Sequence, residues 1–274
     1  MSKKICPTDS LNVRFSQILG AFPSGFGGNF ETFLAANLTV LLFLGAATEI
    51  VSLSLALIAQ VKNDEPFLDF FNTGVAIFVG LSSYTSVAFH VAIVACNSDT
   101  AKSLLSSNYR TNKIVKRLTI FSGAILLIGV FLRFTIKSRK GLYLRHCMVS
   151  ICSMIQFLVA AQYFQQLESR AIAWRFLTSR MRKEKDGTIL KKSHTLSLYF
   201  SAEMFKIHRF YHRQIFLIGT GMFCELVFNN NLIISYTAKR GVAFGLAHFF
   251  ITLVKIFTLL LFCAGCEIAV ATVS

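Results

Sequence analysis

Residues 203–274 open with a basic amphipathic run, EMFKIHRFYHRQ at Glu203–Gln214, and end with CEIAVATVS at Cys266–Ser274. Between these ends lie two long apolar segments, Gln214–Thr237 and Val242–Ala264. A helix needs roughly 20 apolar residues to cross a hydrocarbon core of about 30 Å, and each segment supplies that length. The stretch therefore predicts an amphipathic cytoplasmic helix that leads into two antiparallel transmembrane helices.

The rest of the chain repeats this pattern. Apolar residues make up 54% of the sequence and charged residues 15%, against roughly 25% charged residues in an ordinary soluble domain. Four further runs are long enough to cross a membrane: Phe33–Val61, Phe70–Cys96, Leu118–Ile136 and Leu142–Phe164. The predicted fold is all-α, a multi-pass transmembrane helical bundle with six spans and cytoplasmic helical extensions.

The basic residues predict the orientation of the bundle. The net charge is +15, and the lysines and arginines fall mainly in the connections between apolar runs. With a cytoplasmic N-terminus, nineteen of them lie inside and eight outside, the arrangement that membrane proteins prefer, although the cluster around Arg139 favours the opposite orientation locally. The charge excess is thus explained by topology, and no nucleic-acid partner is expected. Membrane lipid is the expected surrounding.

Four regions follow from this topology. They are a cytoplasmic N-terminal segment at 1–29, transmembrane helices one to four at 30–166, a cytoplasmic basic helical loop at 167–213, and spans five and six with the C-terminus at 214–274. Helical spacing of apolar residues on both sides of Asp186-Gly187 predicts that the fourth span continues beyond the membrane and that a second helix leads into the fifth span. The apolar side chains form one stripe on each of these two helices. The stripes favour either a hairpin that packs on itself or a platform for contacts between subunits.

Ionisable residues within the spans are candidates for function, because they are costly in a membrane. Glu49 lies in the first span, Glu225 in the fifth and Lys255 in the sixth. One interpretation is an ion pair between Lys255 and either glutamate that holds the helices in register. The other is a polar floor beneath a ligand cavity.

Further polar residues lie towards the predicted outer side of the same helices. Asn229 follows Glu225 by one helical turn, and His248 precedes Lys255 by two. Pockets for small molecules combine a few such groups with an aromatic lining. The candidate ligand-binding residues are Arg145, His146, Glu225, Asn229, Asn230, His248 and Lys255. Hydrogen bonds between helices are the alternative explanation for each of them.

Motifs for catalysis or cofactor binding are not found in the sequence. GxxxxGK[ST], GxGxxG, GxSxG and HExxH do not occur, and the one CxxC match, Cys263–Cys266, has no second pair. The seven cysteines are scattered and mostly lie in or beside apolar segments. We therefore expect a protein that is not an enzyme and holds no metal or other cofactor.

Several segments resemble insect gustatory receptors, which belong to one chemosensory superfamily with the odorant receptors. They are FSQILGAFPSG at Phe15–Gly25, the basic loop after the fourth span, Met204–Gln214, and the Cys266-Glu267 pair. The resemblance implies a seven-helix protein of the plasma membrane with a cytoplasmic N-terminus, assembled as a tetrameric ligand-gated cation channel. In that family the seventh helix lines the pore and carries T-Y-x-x-x-x-x-Q-F, which this chain lacks. We therefore expect a receptor without its pore helix, whose conduction by this chain alone is in doubt.

The first functional hypothesis is a gustatory receptor subunit that detects a small-molecule tastant, such as a sugar or a bitter compound, within a homo- or hetero-oligomer. The family's outward-facing cavity would correspond to the region around Asn229 and His248. The second hypothesis is a non-conducting multi-pass protein that acts by association with other subunits. A transporter ranks lower, because all three prolines lie outside the predicted spans.

Overall fold

The computed structural model describes residues 29–62, 67–96, 112–135, 140–183 and 187–273, and every one of them except Asn112 and Gly241 is helical. The predicted all-α class is therefore confirmed. The helices are α1 (Asn29–Lys62), α2 (Phe67–Cys96), α3 (Lys113–Thr135), α4 (Lys140–Lys183), α5 (Gly187–Arg240) and α6 (Val242–Val273).

Three of these helices are long and apolar enough to cross a membrane. The qualifying stretches are Lys113–Phe134 in α3, His146–Ser179 in α4 and Val242–Ala271 in α6, and α2 contributes a shorter apolar stretch at Gly80–Val94. These stretches indicate a membrane protein with three candidate spans. Side chains of α1, α2 and α5 lie partly outside the described residues, and their spans stay predictions.

Helix α4 is the axis of the bundle. It packs most extensively against α6 and also contacts α1, α2, α3 and α5. Residues 152–163 are buried without interruption, so neighbouring helices cover every side of α4 over three turns. The apolar stretch of α4 ends at Ser179, well beyond the predicted end of the fourth span at Phe164.

The outward faces of the helices are apolar. Large side chains such as Leu127, Phe131 and Phe216 expose 72%, 68% and 74% of their surface. A soluble monomer rarely exposes so many large apolar side chains on one surface. Lipid contact explains them, because hydrocarbon solvates such side chains without cost.

Helices α4 and α5 form a hairpin beyond the predicted membrane boundary, and we call its residues 167–213 the helical extension. The ring centroids of Trp174 and Phe200 lie 5.2 Å apart, and an Arg170 guanidinium nitrogen lies 3.6 Å from a Glu203 carboxylate oxygen. The predicted helical continuation on both sides of the connection is present, and the hairpin packs on itself. Tyr199 remains exposed on its surface, so the platform interpretation stays a prediction.

Gly241 alone connects α5 to α6. Its φ angle is 93°, and its backbone N–H donates to the carbonyl of Thr237 at 3.0 Å. This is a left-handed helix cap, which glycine adopts without a steric penalty. The chain reverses at once, and residues at equal distances from Gly241 come to similar depths on the two helices. Glu225 lies sixteen residues before Gly241 and Lys255 fourteen residues after it, so the two come to nearly the same depth.

Candidate functional site

A buried ion pair lies in the interior of the bundle. The ammonium group of Lys255 on α6 contacts the Glu225 carboxylate on α5, and each side chain is 1% exposed. The hydroxyl of Ser83 on α2 donates to Oε1 of Glu225 at 2.8 Å. We call Ser83, Glu225 and Lys255 the polar layer, which joins three helices. Removing one partner of such a pair leaves a buried charge and costs about 3–5 kcal/mol.

Further hydrogen bonds continue from the polar layer along α2. Nε2 of Gln156 donates to the hydroxyl of Ser86 at 2.5 Å, and that hydroxyl donates to the Ser83 carbonyl at 2.9 Å. One turn further along α2, Nδ1 of His90 lies 2.8 Å from Oε1 of Gln214. Because all of these side chains are buried, the bonds fix the rotation of α2 against α4 and α5.

A second group of side chains lies where α3 ends and α4 and α6 begin. Cζ of Arg133 lies 3.8 Å from the centroid of the Phe244 ring, which lies 4.9 Å from the ring of His248. The His248 ring meets His146 edge-on at 5.5 Å. We call these four residues the Arg133 cluster. It brings two predicted site residues together from different helices.

A third group lies at the opposite end of the bundle, where the helical extension begins. The Tyr163 hydroxyl lies 3.3 Å from Nδ1 of His208 and 3.8 Å from the sulfur of Cys266. The Tyr163 ring also packs against Tyr211 at 5.5 Å. Burial raises the pKa of the Tyr211 phenol well above its usual range, because the charged form loses its hydration there.

The structure places the remaining predicted residues as follows. Of the two glutamates considered for Lys255, it is Glu225 that forms the ion pair. Asn230 is exposed on the surface of α5, away from the polar layer. The side chains of Arg145, Asn229 and Glu49 lie outside the described residues. The ligand-binding role of all candidates remains a prediction.

The polar layer and the Arg133 cluster share one face of α6. His248 and Lys255 are seven residues apart, which corresponds to two turns and about 10 Å along the helix. Within each group the described side chains are in contact with one another. A small cleft lies instead in the helical extension, where Arg170, Trp174 and Phe200 contribute to its lining.

Sequence reasoning missed several residues of these groups. From the sequence, Arg133 counts as one of the basic residues outside the membrane that indicate the orientation of the helices. The structure instead buries it within the bundle at 2% exposure. Ser83, Ser86 and His90 recur at spacings of three and four residues, a polar stripe that could have predicted the face of α2 that meets α5. Gln156 and Gln214 are single polar residues in apolar surroundings, and periodicity does not reveal their partners.

Comparison of the chain with models of known protein families, with curated proteins and with solved structures found no match.

Proposed function

We propose that this chain is a chemosensory receptor subunit of the gustatory type, which binds a small molecule between its helices. The observation that carries the proposal is the buried connection among α2, α5 and α6 through Ser83, Glu225 and Lys255. Ionisable groups inside a membrane bundle are costly and mark ligand or ion pathways. The sensory role is supported by the resemblance of several segments of the sequence to gustatory receptors.

The binding region is the Arg133 cluster, at the predicted extracellular end, with the polar layer beneath it. His248 and Lys255 stand on one rigid helix, so a ligand that displaces His248 also shifts Lys255 against Glu225. The bundle then has two arrangements. In one the Lys255 ammonium group contacts the Glu225 carboxylate, and in the other the two groups are apart. A ligand shifts the balance between them only by its difference in affinity for the two.

The cellular setting belongs to the same proposal. The chain lies in the plasma membrane with its N-terminus in the cytoplasm, and it works within a homo- or hetero-oligomer, a tetramer by family resemblance. Conduction of cations is a property of that assembly. The excess of basic residues in the predicted cytoplasmic connections supports the orientation.

Association with other subunits, without conduction, is the second candidate function. The surface of the helical extension favours it, because Phe176, Tyr199 and Phe205 expose 63%, 61% and 65% of their surface. If the extension lies outside the membrane, as predicted, these side chains face water. Exposed apolar groups in that position are typical of protein contact surfaces.

Ligand binding can be tested with the full chain in lipid nanodiscs. The midpoint temperature of unfolding is measured at increasing concentrations of sucrose, caffeine or benzoate, which represent a sugar, an alkaloid and an aromatic acid. A ligand at one hundred times its Kd stabilises the fold by about 2.7 kcal/mol, which raises the midpoint by several degrees.

Two variants locate the site in the same assay. H248A is expected to weaken binding, whereas F249A, whose side chain lies on the neighbouring exposed face of α6, is expected to leave it unchanged. A midpoint that no compound raises would contradict the proposal, and so would equal binding by H248A and the native chain.

A further inference from the structure

Two arginines lie on the exposed face of α5, where the helical extension meets the predicted fifth span. Arg209 and Arg213 are exposed, whereas Phe210, Tyr211 and Gln214 on the other side of the helix are buried. The two arginines are four residues apart, which places them on successive turns of one face. Like charges at this spacing repel each other and destabilise a helix. We call Arg209 and Arg213 the arginine pair.

The same face of α5 becomes apolar within the predicted span. Phe216 and Phe223 follow Arg209 at intervals of seven residues, close to two helical turns each, and expose 74% and 64% of their surface. In a membrane these two rings contact hydrocarbon chains. Arg213 precedes the predicted boundary at Gln214 by one residue and Arg209 by five, or about 8 Å along the helix. The arginine pair therefore lies at the depth of the lipid headgroups.

The acidic residues of the chain are too few to neutralise this end of the bundle. The sequence places nineteen basic residues on the side of the helical extension. The acidic residues on that side are Asp9, Glu31, Asp99, Glu168, Glu184, Asp186, Glu203 and Glu267. Five of their side chains lie outside the described residues. Even if all five faced α5, the basic residues would outnumber the acidic ones more than twofold.

The described acidic side chains of this end do not pair with the arginine pair. A Glu203 carboxylate oxygen lies 3.6 Å from a guanidinium nitrogen of Arg170. Nδ2 of Asn112 donates to the Glu168 carboxylate and lies 2.7 Å from each oxygen. Glu267 is exposed on α6, and in the described part of the chain no ion pair joins it to the arginine pair. The two positive charges are therefore available to an anion from outside the chain.

The chemistry of the two side chains indicates a phosphate. Guanidinium is charged at every physiological pH, and its N–H donors form a planar fork that matches phosphate oxygens. A phosphate between arginines on successive turns accepts hydrogen bonds from both and offsets their mutual repulsion. Anionic phospholipids present such phosphates at headgroup depth, and basic residues beside a span bind them. The acyl chains of the same lipid would then lie along the exposed rings of Phe216 and Phe223.

We infer that the arginine pair is a binding site for the headgroup of an anionic phospholipid, in the leaflet that borders the helical extension. Arg209 and Arg213 bind its phosphate groups, and Phe216 and Phe223 contact its acyl chains. The inference does not rest on the proposed ligand-binding function and requires only that α5 crosses the membrane as predicted. It predicts that affinity increases with the negative charge of the headgroup.

Two short-chain lipids test the inference on the native chain. The full chain in a neutral detergent is titrated with dioctanoyl phosphatidylinositol bisphosphate or dioctanoyl phosphatidylcholine, and native mass spectrometry measures the fraction of protein with bound lipid. The two lipids share their acyl chains and differ in charge. The bisphosphate is expected to bind at least about tenfold more tightly, because each basic residue near an anionic headgroup contributes about fivefold in affinity. Equal affinity for both lipids would overturn the inference.

Substitution of single arginines then locates the site. R209Q and R213Q are each expected to lower affinity for the bisphosphate about fivefold, whereas R209K and R213K keep the charge and are expected to retain part of the affinity. R175Q is the matched control, because it also removes one exposed positive charge of the helical extension, about 16 Å beyond the predicted end of the fourth span. It is expected to leave the affinity unchanged.

All three arginines are exposed, so the variants are expected to fold, and their unfolding midpoints without added lipid check this. Full affinity for the bisphosphate in the double variant R209Q/R213Q would overturn the inference. An equal loss of affinity in R175Q would show attraction by the overall charge of this end rather than by the arginine pair, and the inferred site would be wrong.

A further titration distinguishes a lipid from a soluble anion. Inositol trisphosphate carries the phosphates of the bisphosphate headgroup without its acyl chains. It is expected to bind at least about tenfold more weakly than the dioctanoyl lipid, because it makes no contact with the apolar face of α5. Equal affinity of the two would assign the arginine pair to a soluble anion and would overturn the inference of a lipid site.

Discussion

Lys255 and Glu225 show how a single pair of residues holds the bundle together. Both charges are buried, and each is tolerated only because the other is present. K255M leaves an unmatched carboxylate and E225Q an unmatched ammonium group, and each change is expected to lower the free energy of unfolding by about 3–5 kcal/mol. The double variant removes both charges at once and is expected to cost less than the two single changes combined.

A double-mutant cycle measures this coupling. It compares the thermal unfolding of the native chain, K255M, E225Q and the double variant in lipid nanodiscs. I256A serves as the control on the neighbouring face of α6, where the side chain is 39% exposed. Additive effects of the two single changes would show that the two side chains act independently, which is incompatible with the described ion pair.

At the scale of helices, the contact between α4 and α6 depends on the absence of a side chain at Gly265. A methyl group at this position would lie 2.6 Å from the Tyr163 ring, which is fully buried and held by Tyr211 and Phe262. G265A is therefore expected to lower the free energy of unfolding by about 1–3 kcal/mol, the usual cost of overpacking.

Gly219 on α5 provides the matched control, because a methyl group there meets nothing within 4 Å. G219A is expected to be neutral or to stabilise the helix by up to about 1 kcal/mol, since alanine favours helix over glycine. Chemical or thermal unfolding of both variants checks the prediction. Equal effects of the two substitutions would argue against close packing of α4 on α6.

The helical extension can be followed by fluorescence, because Trp174 is the one tryptophan of the chain. Its ring packs against Phe200 across the α4–α5 hairpin at 5.2 Å. F200A is expected to shift Trp174 emission to longer wavelength as water reaches the indole ring. L198A, which changes a 60% exposed side chain on the same helix, is expected to leave the spectrum unchanged. Identical spectra for all three proteins would exclude the hairpin contact.

For the molecule as a whole, apolar patterning predicts the helices and much of their extent. Length and hydropathy are properties of each segment by itself, so α3 and α6 can be recognised as candidate spans without knowledge of their neighbours. The continuous helix on each side of the 184–186 connection is also predictable, because apolar side chains repeat there at helical spacing.

The partners of the polar residues are less accessible to sequence reasoning. Ser83 and Glu225 are 142 residues apart, and their contact depends on how α2 and α5 rotate against each other. Because α5 and α6 are antiparallel neighbours, Glu225 and Lys255 can be expected at a similar depth. Depth alone does not show whether Lys255 pairs with Glu225 or with Glu49. Arg133 shows the reverse problem: a charge at a helix end suggests solvent, and only the packing of α6 places Phe244 over it.

The central claim is that α2 and α5 face each other inside the bundle and bring Ser83 to Glu225, and a disulfide between the two helices tests it most directly. A Cβ atom at Gly221 would lie 3.7 Å from Cβ of Ser82, within the range of about 3.5–4.5 Å that disulfides require. S82C/G221C is oxidised in nanodiscs and cleaved at a protease site inserted between residues 184 and 186. The two fragments are expected to remain joined until reduction, whereas those of S82C/G219C separate. Separation of the S82C/G221C fragments without reductant would contradict the proposed arrangement.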